Sequence, residues 1–219
     1  MKKLIAICVV AGLITIASNV VQANVTGWIS PTANYSPNIT GDLGFNIPSN
    51  AYADGGTYAG GYAESWPYGS ANKHQYYGYG FSVPSGATIN GIEVRMDVWR
   101  NSYATTGSMA VELSWDGGTS WTTTGYGTGN LNQGETTYYE GSTSDAWGHT
   151  WTADEINTGF RVRLIDAATG GTNGRIYLDW VPVEVTYTAG SPTVPAPGAI
   201  LLGGIGVSLV GWLRRRKSL

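Results

Sequence analysis

Chemistry in a protein chain is carried by a few residue types, and here those types are sparse. The 219 residues include two histidines, His74 and His149, and one cysteine, Cys8. Each histidine stands in polar, turn-rich sequence beside aromatics, which predicts solvated rings. A metal triad would need a third ligand that no spacing names. There is no Gly-x-Ser-x-Gly, no His-Glu-x-x-His and no phosphate loop, so nucleophile, zinc and nucleotide chemistries lack their frameworks. Fifteen acidic residues make some carboxylate pair inevitable. A glycosidase needs its pair about 5 to 10 Å apart in space, which sequence does not give. No catalytic residue is assigned, the protein is expected not to be an enzyme, and a glycoside hydrolase ranks third among its functions.

The denser signal is aromatic. Between Tyr52 and Tyr79 eight tyrosines and tryptophans crowd one glycine-rich third of the body. Flat rings on a sheet can stack on the apolar C–H faces of sugars while neighbouring hydroxyls and amides bind sugar hydroxyls. A carbohydrate-binding surface for extracellular polysaccharide, built on Trp66, Tyr68, Tyr76, Tyr77 and Tyr79, is one expectation. The other is that these rings pair across strands and cover glycine-rich backbone, as is ordinary in sheets. Trp115, Trp121, Trp151 and Trp180 are assigned mainly to the core.

The elements that must position these groups are strands. With 32 Gly, 14 Tyr and 9 Trp, and only 12% charged residues, the composition departs from that of a helical bundle. At 42% hydrophobic it is too apolar for a disordered chain. Asn90 to Arg100 alternates cleanly, with Ile92, Val94, Met96 and Val98 opposing Glu93, Arg95 and Asp97. Ser108 to Trp115 and Phe160 to Ile165 repeat the pattern. Arg175 to Thr188 reads as one long strand in which Pro182 requires an edge position or a bulge. Gln75 to Val83, Thr57 to Ala63 and the pair Trp28, Ile29 complete the set. One helical turn is expected at Thr152 to Ile156, where a capping hydroxyl precedes Glu155 by three residues. The sum is an all-β fold of seven to nine antiparallel strands, a two-sheet β-sandwich of jelly-roll type, with a closed barrel as the alternative.

The ends lie outside that sandwich. Residues 1–23 begin with Lys2 and Lys3, run apolar from Leu4 to Ile16 and finish Val21-Gln22-Ala23, the pattern of a signal peptide cut by signal peptidase after Ala23. Cys8 falls inside this segment, so the body from 24 to 189 has no thiol and must be held by its core. That body has six basic side chains against all fifteen acids, a net charge of −9 that excludes nucleic acid as a partner. Residues 190–197 are a proline-rich linker. Residues 198–213 are apolar and end near Trp212, and the tail 214–219 opens with Arg214, Arg215, Arg216 and Lys217. A short hydrophobic helix, an interfacial aromatic and a basic cluster held in the cytoplasm form a membrane signal. Sixteen helical residues reach roughly 24 Å, a little under the hydrocarbon thickness.

The run Val194-Pro195-Ala196-Pro197-Gly198-Ala199, followed by the apolar segment and the basic cluster, resembles the C-terminal sorting signal of PEP-CTERM proteins. Ala196 stands where that family has glutamate. The resemblance implies export, transient membrane retention and cleavage near Pro197 by an exosortase-type protease, with delivery to the cell surface or extracellular matrix. The alternative is a permanent C-terminal anchor. The leading functional expectation is thus a structural or interaction protein of the cell surface or matrix.

Within the body, Ser114-Trp-Asp-Gly-Gly-Thr-Ser-Trp121 resembles an Asp-box, matching at Ser114, Asp116, Gly118 and Trp121. Its content is a tight hairpin in which Asp116 accepts backbone hydrogen bonds and the glycines take positive φ. A propeller would repeat it in every blade, and one copy is present. The stretch from Ile89 to Tyr187 resembles β-sandwich modules of bacterial surface and phage proteins. Modules of this kind often carry structural calcium, which the resemblance places at an acidic turn involving Asp54 or Asp179. No spacing demands a metal, and no other cofactor is expected.

Overall fold

A computed structural model describes residues 22–36, 43–61, 72–123, 125–170 and 173–190, with 204–206, 208, 210 and 212. Among these, strands dominate and form two antiparallel sheets. The first holds β1 (Ala23–Val25), β3 (Phe45–Asn46), β4 (Ala59–Gly61), β6 (Thr88–Arg100), β9 (Thr136–Gly141), β11 (Ile176–Trp180) and β12 (Val183–Thr188). The second holds β2 (Ala33–Tyr35), β5 (Lys73–Tyr77), β7 (Ala104–Ser114), β8 (Tyr126–Gly127) and β10 (Arg161–Gly170), in the order β2-β5-β10-β7-β8.

β6 is the spine of the first sheet because its 13 residues are long enough to serve three partners. Val94 faces Val183 of β12 on one edge and Glu140 of β9 on the other. Further along, Val98 faces Leu178, so β11 and β12 follow one another along the same edge of β6. β4 extends the sheet beyond β11 and β1 extends it beyond β12, with Ala23 opposite Thr188. The expected single strand from 175 to 188 is therefore two, broken at Val181 and Pro182. A proline has no N–H for a ladder, and in the break only its carbonyl is used, accepting from the Arg95 N–H at 3.0 Å.

The core lies between the sheets. Ile92, Val94, Met96 and Val98 of β6 meet Met109, Val111 and Leu113 of β7 and Val162 and Leu164 of β10, all fully buried. Each such side chain contributes about 2 kcal/mol relative to exposure. Trp147 fills the largest single place, with its indole N–H donating to Ile92 O at 2.8 Å. Close packing of chain over β6 at this point requires Gly141, at φ 82°, where a Cβ would lie 2.3 Å from Ile92 O.

Several expected elements differ in extent. β5 stops at Tyr77, and Gly78 and Gly80 adopt positive φ beyond it, so Gln75 to Val83 is not one strand. The stretch from Thr57 to Ala63 is strand over Ala59–Gly61, Ile29 forms an isolated bridge to Val183, and β1 precedes it. The helical turn is present over Glu155–Gly159. Thr152 N–H donates to Glu155 Oε2 at 2.7 Å and Glu155 N–H donates to Thr152 Oγ1 at 3.2 Å, a reciprocal cap. The expected leader falls on residues of which only 22 and 23 are described. The sorting motif Val194 to Ala199 and the cluster Arg214 to Lys217 lie outside the described residues. Within 198–213 the six described positions are helical. Among the described residues no helix is long and apolar enough to cross a membrane.

Candidate functional site

Alternation along β6 sends Glu93, Arg95, Asp97 and Trp99 to the face opposite the core. A charged residue there would ordinarily meet water, yet Asp97 is buried. Its carboxylate holds Arg95 through Nε at 3.2 Å and Nη2 at 2.8 Å, and accepts Thr137 Oγ1–H from β9 at 2.6 Å. The Arg95 guanidinium lies 4.5 Å over the Trp180 ring and 3.7 Å from Asp54 Oδ2.

Next to this pair, β11 carries one residue too many for its ladder. Leu178 faces Val98 and Trp180 faces Asp97, which leaves Asp179 as the extra residue of a bulge. A bulge breaks alternation and re-aims the side chain it carries. Asp179 is 1% exposed, a burial that leaves a carboxylate dependent on the donors around it. Oδ2 accepts the Gly56 N–H at 3.0 Å, whereas Oδ1 has no hydrogen-bond partner among the described residues. Asp54, in the loop that carries Gly56, and Glu135, just before β9, each bring an oxygen to the same place. One ligand oxygen from each of Asp54, Glu135 and Asp179 lies within 4.8 Å of the others. Partial burial, then the negative charges of Asp179, Asp97 and Asp54, raise the Glu135 pKa above its ordinary value, with Arg95 opposing. Asp54 and Asp179 entered as candidates only through the resemblance to calcium-bearing modules, since no spacing points to a metal. Glu135 did not, because it precedes a strand whose Thr-Thr-Tyr-Tyr-Glu sequence shows no apolar alternation.

The aromatic expectation is corrected at several positions. Tyr76 is fully buried and Tyr79 is 5% exposed, so neither ring can meet a sugar. Both belong to the core, Tyr79 packing on Phe81 and Phe160. Tyr77 is half-buried beneath the Arg161 guanidinium at 4.4 Å, and Trp66 and Tyr68 lie outside the described residues. The rings that gather at the surface are others. Tyr58, Trp99 and Tyr177 form a triangle with centroids 4.5 to 5.5 Å apart and interplanar angles of 80°, 54° and 47°. Such edge and tilted contacts satisfy the rings mutually. They do not make a flat row. Of the four tryptophans assigned to the core, Trp151 is buried, while Trp115, Trp121 and Trp180 are half-buried.

The histidines divide. His149 is half-buried, stacked on Trp115 at 4.1 Å, with Nε2 3.4 Å from Glu155 Oε1. His74, expected in solvent, is buried between β2 and β3. Its Nδ1 accepts the Phe45 N–H at 3.1 Å, which places the ring proton on Nε2, 3.1 Å from Asn34 Oδ1. Burial lowers its pKa from 6.5 to about 4. A neutral ring fixed in this way is a stitch between sheets, not a base facing a cleft.

No family model matches the chain, and no curated protein matches it. The chemistry of the surface therefore has to be argued from its own residues. The hairpin after β7 is self-contained: Ser114 Oγ accepts the Gly118 N–H at 2.8 Å, and Asp116 Oδ1 accepts the N–H groups of Thr119 and Ser120 at 3.0 and 2.7 Å. Hydrogen bonds led by the Ser120 N–H hold the Asp116 pKa below its ordinary value. Trp121 Nε1–H closes the turn on Gly118 O at 3.1 Å, and Gly117 and Gly118 have φ of 73° and 93°. Apart from the Gly117 N–H, which donates to Gly159 O at 2.9 Å, these bonds close within the turn, and no ligand is needed to explain it. The acidic cluster differs, having one buried oxygen left without a partner.

Proposed function

We propose that the protein is an exported structural or interaction component of the cell surface or extracellular matrix, without catalytic activity. The observation that carries this reading is the order of the C-terminal sequence. Val194, Pro195, Ala196, Pro197, Gly198 and Ala199 precede an apolar segment, and Arg214, Arg215, Arg216 and Lys217 follow it. That order resembles the PEP-CTERM signal and supplies the partners of the proposal: a signal peptidase at the first end and an exosortase-type protease at the second. Residues 198–213 act in it as a transient membrane helix.

The proposal extends to the type of sandwich. From β4 to β11 successive strands alternate between sheets except at β7 and β8, and the neighbour orders β4-β11-β6-β9 and β5-β10-β7-β8 support a jelly roll. The mutual packing of Tyr58, Trp99 and Tyr177 supports a structural role over sugar binding, because rings turned on edge to one another leave no common plane. The second reading, a glycan-binding module, draws on Tyr58 and Tyr139, which are 45% and 54% exposed.

The intact mass of protein recovered from the cell surface tests the sorting. It is expected to lack residues 1–23 and the segment after about Pro197, and a full-length mass would sink the reading. Electrophoresis of the same material through gels containing matrix polysaccharides separates the two roles. Unchanged mobility is expected. Saturable retardation abolished by Tyr58→Ala would move the glycan reading to the front.

A further inference from the structure

We infer that Asp54, Glu135 and Asp179 bind a calcium ion, which clamps the loop after Tyr52 and the turn before β9 onto the bulge of β11. Three separated stretches of chain deliver these carboxylates to one place, and one ligand oxygen from each lies within 4.8 Å of the others. Calcium takes oxygens at about 2.3 to 2.6 Å in a flexible geometry, which suits donors from three separate stretches of chain better than the near-ideal octahedron that magnesium demands. The donors are all carboxylate oxygens, which suit a hard cation rather than zinc or copper.

Acidic groups crowd many surfaces without a ligand, and a second observation separates this cluster from those. Asp179 is 1% exposed, and its Oδ1 is buried without a hydrogen-bond partner among the described residues, although Oδ2 is bonded to Gly56 N–H. An orphaned oxygen on a buried carboxylate is costly, and native structures answer that cost with a donor, a water or a cation. The charge around it selects the cation. Four carboxylates, those of Asp54, Asp97, Glu135 and Asp179, share one guanidinium, which is already committed to Asp97 through two contacts. Arg95 reaches Asp54 only at 3.7 Å, and among the described residues Glu135 and Asp179 have no ion-pair partner. A divalent ion at their centre neutralises like charges that three separate stretches of chain bring together. Asp54 and Glu135 are exposed, so water can complete the six to eight oxygens that calcium takes. The loop geometry fits the same purpose. Gly56, at φ 71°, turns the chain so that its N–H faces Asp179 two residues after Asp54.

The inference is independent of the sorting reading, and its test leaves the chain ends untouched. Calcium chloride is titrated calorimetrically into the full-length protein in detergent micelles after treatment with a chelator. One saturable site is expected, with a dissociation constant on the order of 10⁻⁴ to 10⁻³ M. Glu135→Gln, at an exposed position, should weaken it about tenfold or more, and Asp179→Asn should do the same. Magnesium should bind at least about tenfold more weakly than calcium. Calcium should also slow proteolytic nicking of the loop at Asp54 in the wild type and not in Glu135→Gln. Absence of a saturable site, calcium affinity unchanged in Glu135→Gln, or magnesium binding as tightly as calcium would each overturn the proposal. If Asp179→Asn does not fold, Glu135→Gln alone decides.

Discussion

The two faces of β6 solve opposite problems with one stretch of backbone. The inner face presents Ile92, Val94, Met96 and Val98 to the opposing sheet, and burial alone holds them. The outer face presents Arg95 and Asp97, and here burial is costly unless every charge is paired. The inner face tolerates any shape-filling apolar neighbour. The outer face depends on particular partners brought by β9, by the bulge of β11 and by the loop before β4. On a sheet face that water usually reaches, Asp97 and Asp179 form a small buried polar cluster beside the exposed Asp54 and Glu135.

The comparison can be broken first from within. Trp147→Ala empties the largest buried side chain and orphans Ile92 O, and should cost about 4 kcal/mol, read as a shift in the urea midpoint. On the outer face Asp97→Ala leaves Arg95 with its longer contact to Asp54 and the Trp180 ring beneath it. A loss of about 3 kcal/mol is expected, reduced by the part of Arg95 that stays solvated. Asp97→Asn, which keeps the acceptor of Thr137, should recover part of it. If both Asp97 variants unfold at the wild-type midpoint, the buried cluster on the outer face adds nothing to stability.

Acid sharpens the contrast, because His74 is a polar group placed on the inner side. Its pKa is 6.5 when unfolded and about 4 when folded. The unfolded chain therefore binds the proton first, and the stability gained by keeping the ring neutral is complete above pH 6.5 and lost as pH falls toward 4. Between pH 7 and 5 the loss is about 2 kcal/mol. Urea midpoints across that range should fall in the wild type and fall less in His74→Gln. The smallest effect is expected at the surface triangle. Tyr58→Ala removes one of three mutually packed rings, at about 1 kcal/mol.

Legibility in the sequence followed the same division. The inner faces of β6, β7 and β10 could be read because apolar side chains repeat every second residue, and they lie where that period puts them. His74 was misread because Lys73 and Gln75 make its surroundings look wet. Both flank it on the other face, while His74 and Tyr76 face Leu164 and Val162 across the ladder. The outer face was harder still. Asp179 is buried by a bulge that no pattern announces, and Glu135 belongs to a turn before a strand written in Thr and Tyr. The Ser114 to Trp121 hairpin lies at the legible extreme, since the side-chain bonds that shape it are local.

The pairing of β1 with β12 has a consequence for how such a chain is handled in the cell. Ala23 lies opposite Thr188, so the polypeptide enters the sandwich and leaves it at the same corner. Under the proposed sorting, a leader ending at Ala23 and a membrane helix after the linker would insert into one bilayer side by side, and removal of the leader would leave Asn24 and Val25 paired with Tyr187 and Thr186. Under that proposal the body would complete its folding while tethered twice, and the two cuts would be free to come in either order. Tension between the two tethers would load β1 and β12 as a zipper, opening one rung at a time from that corner.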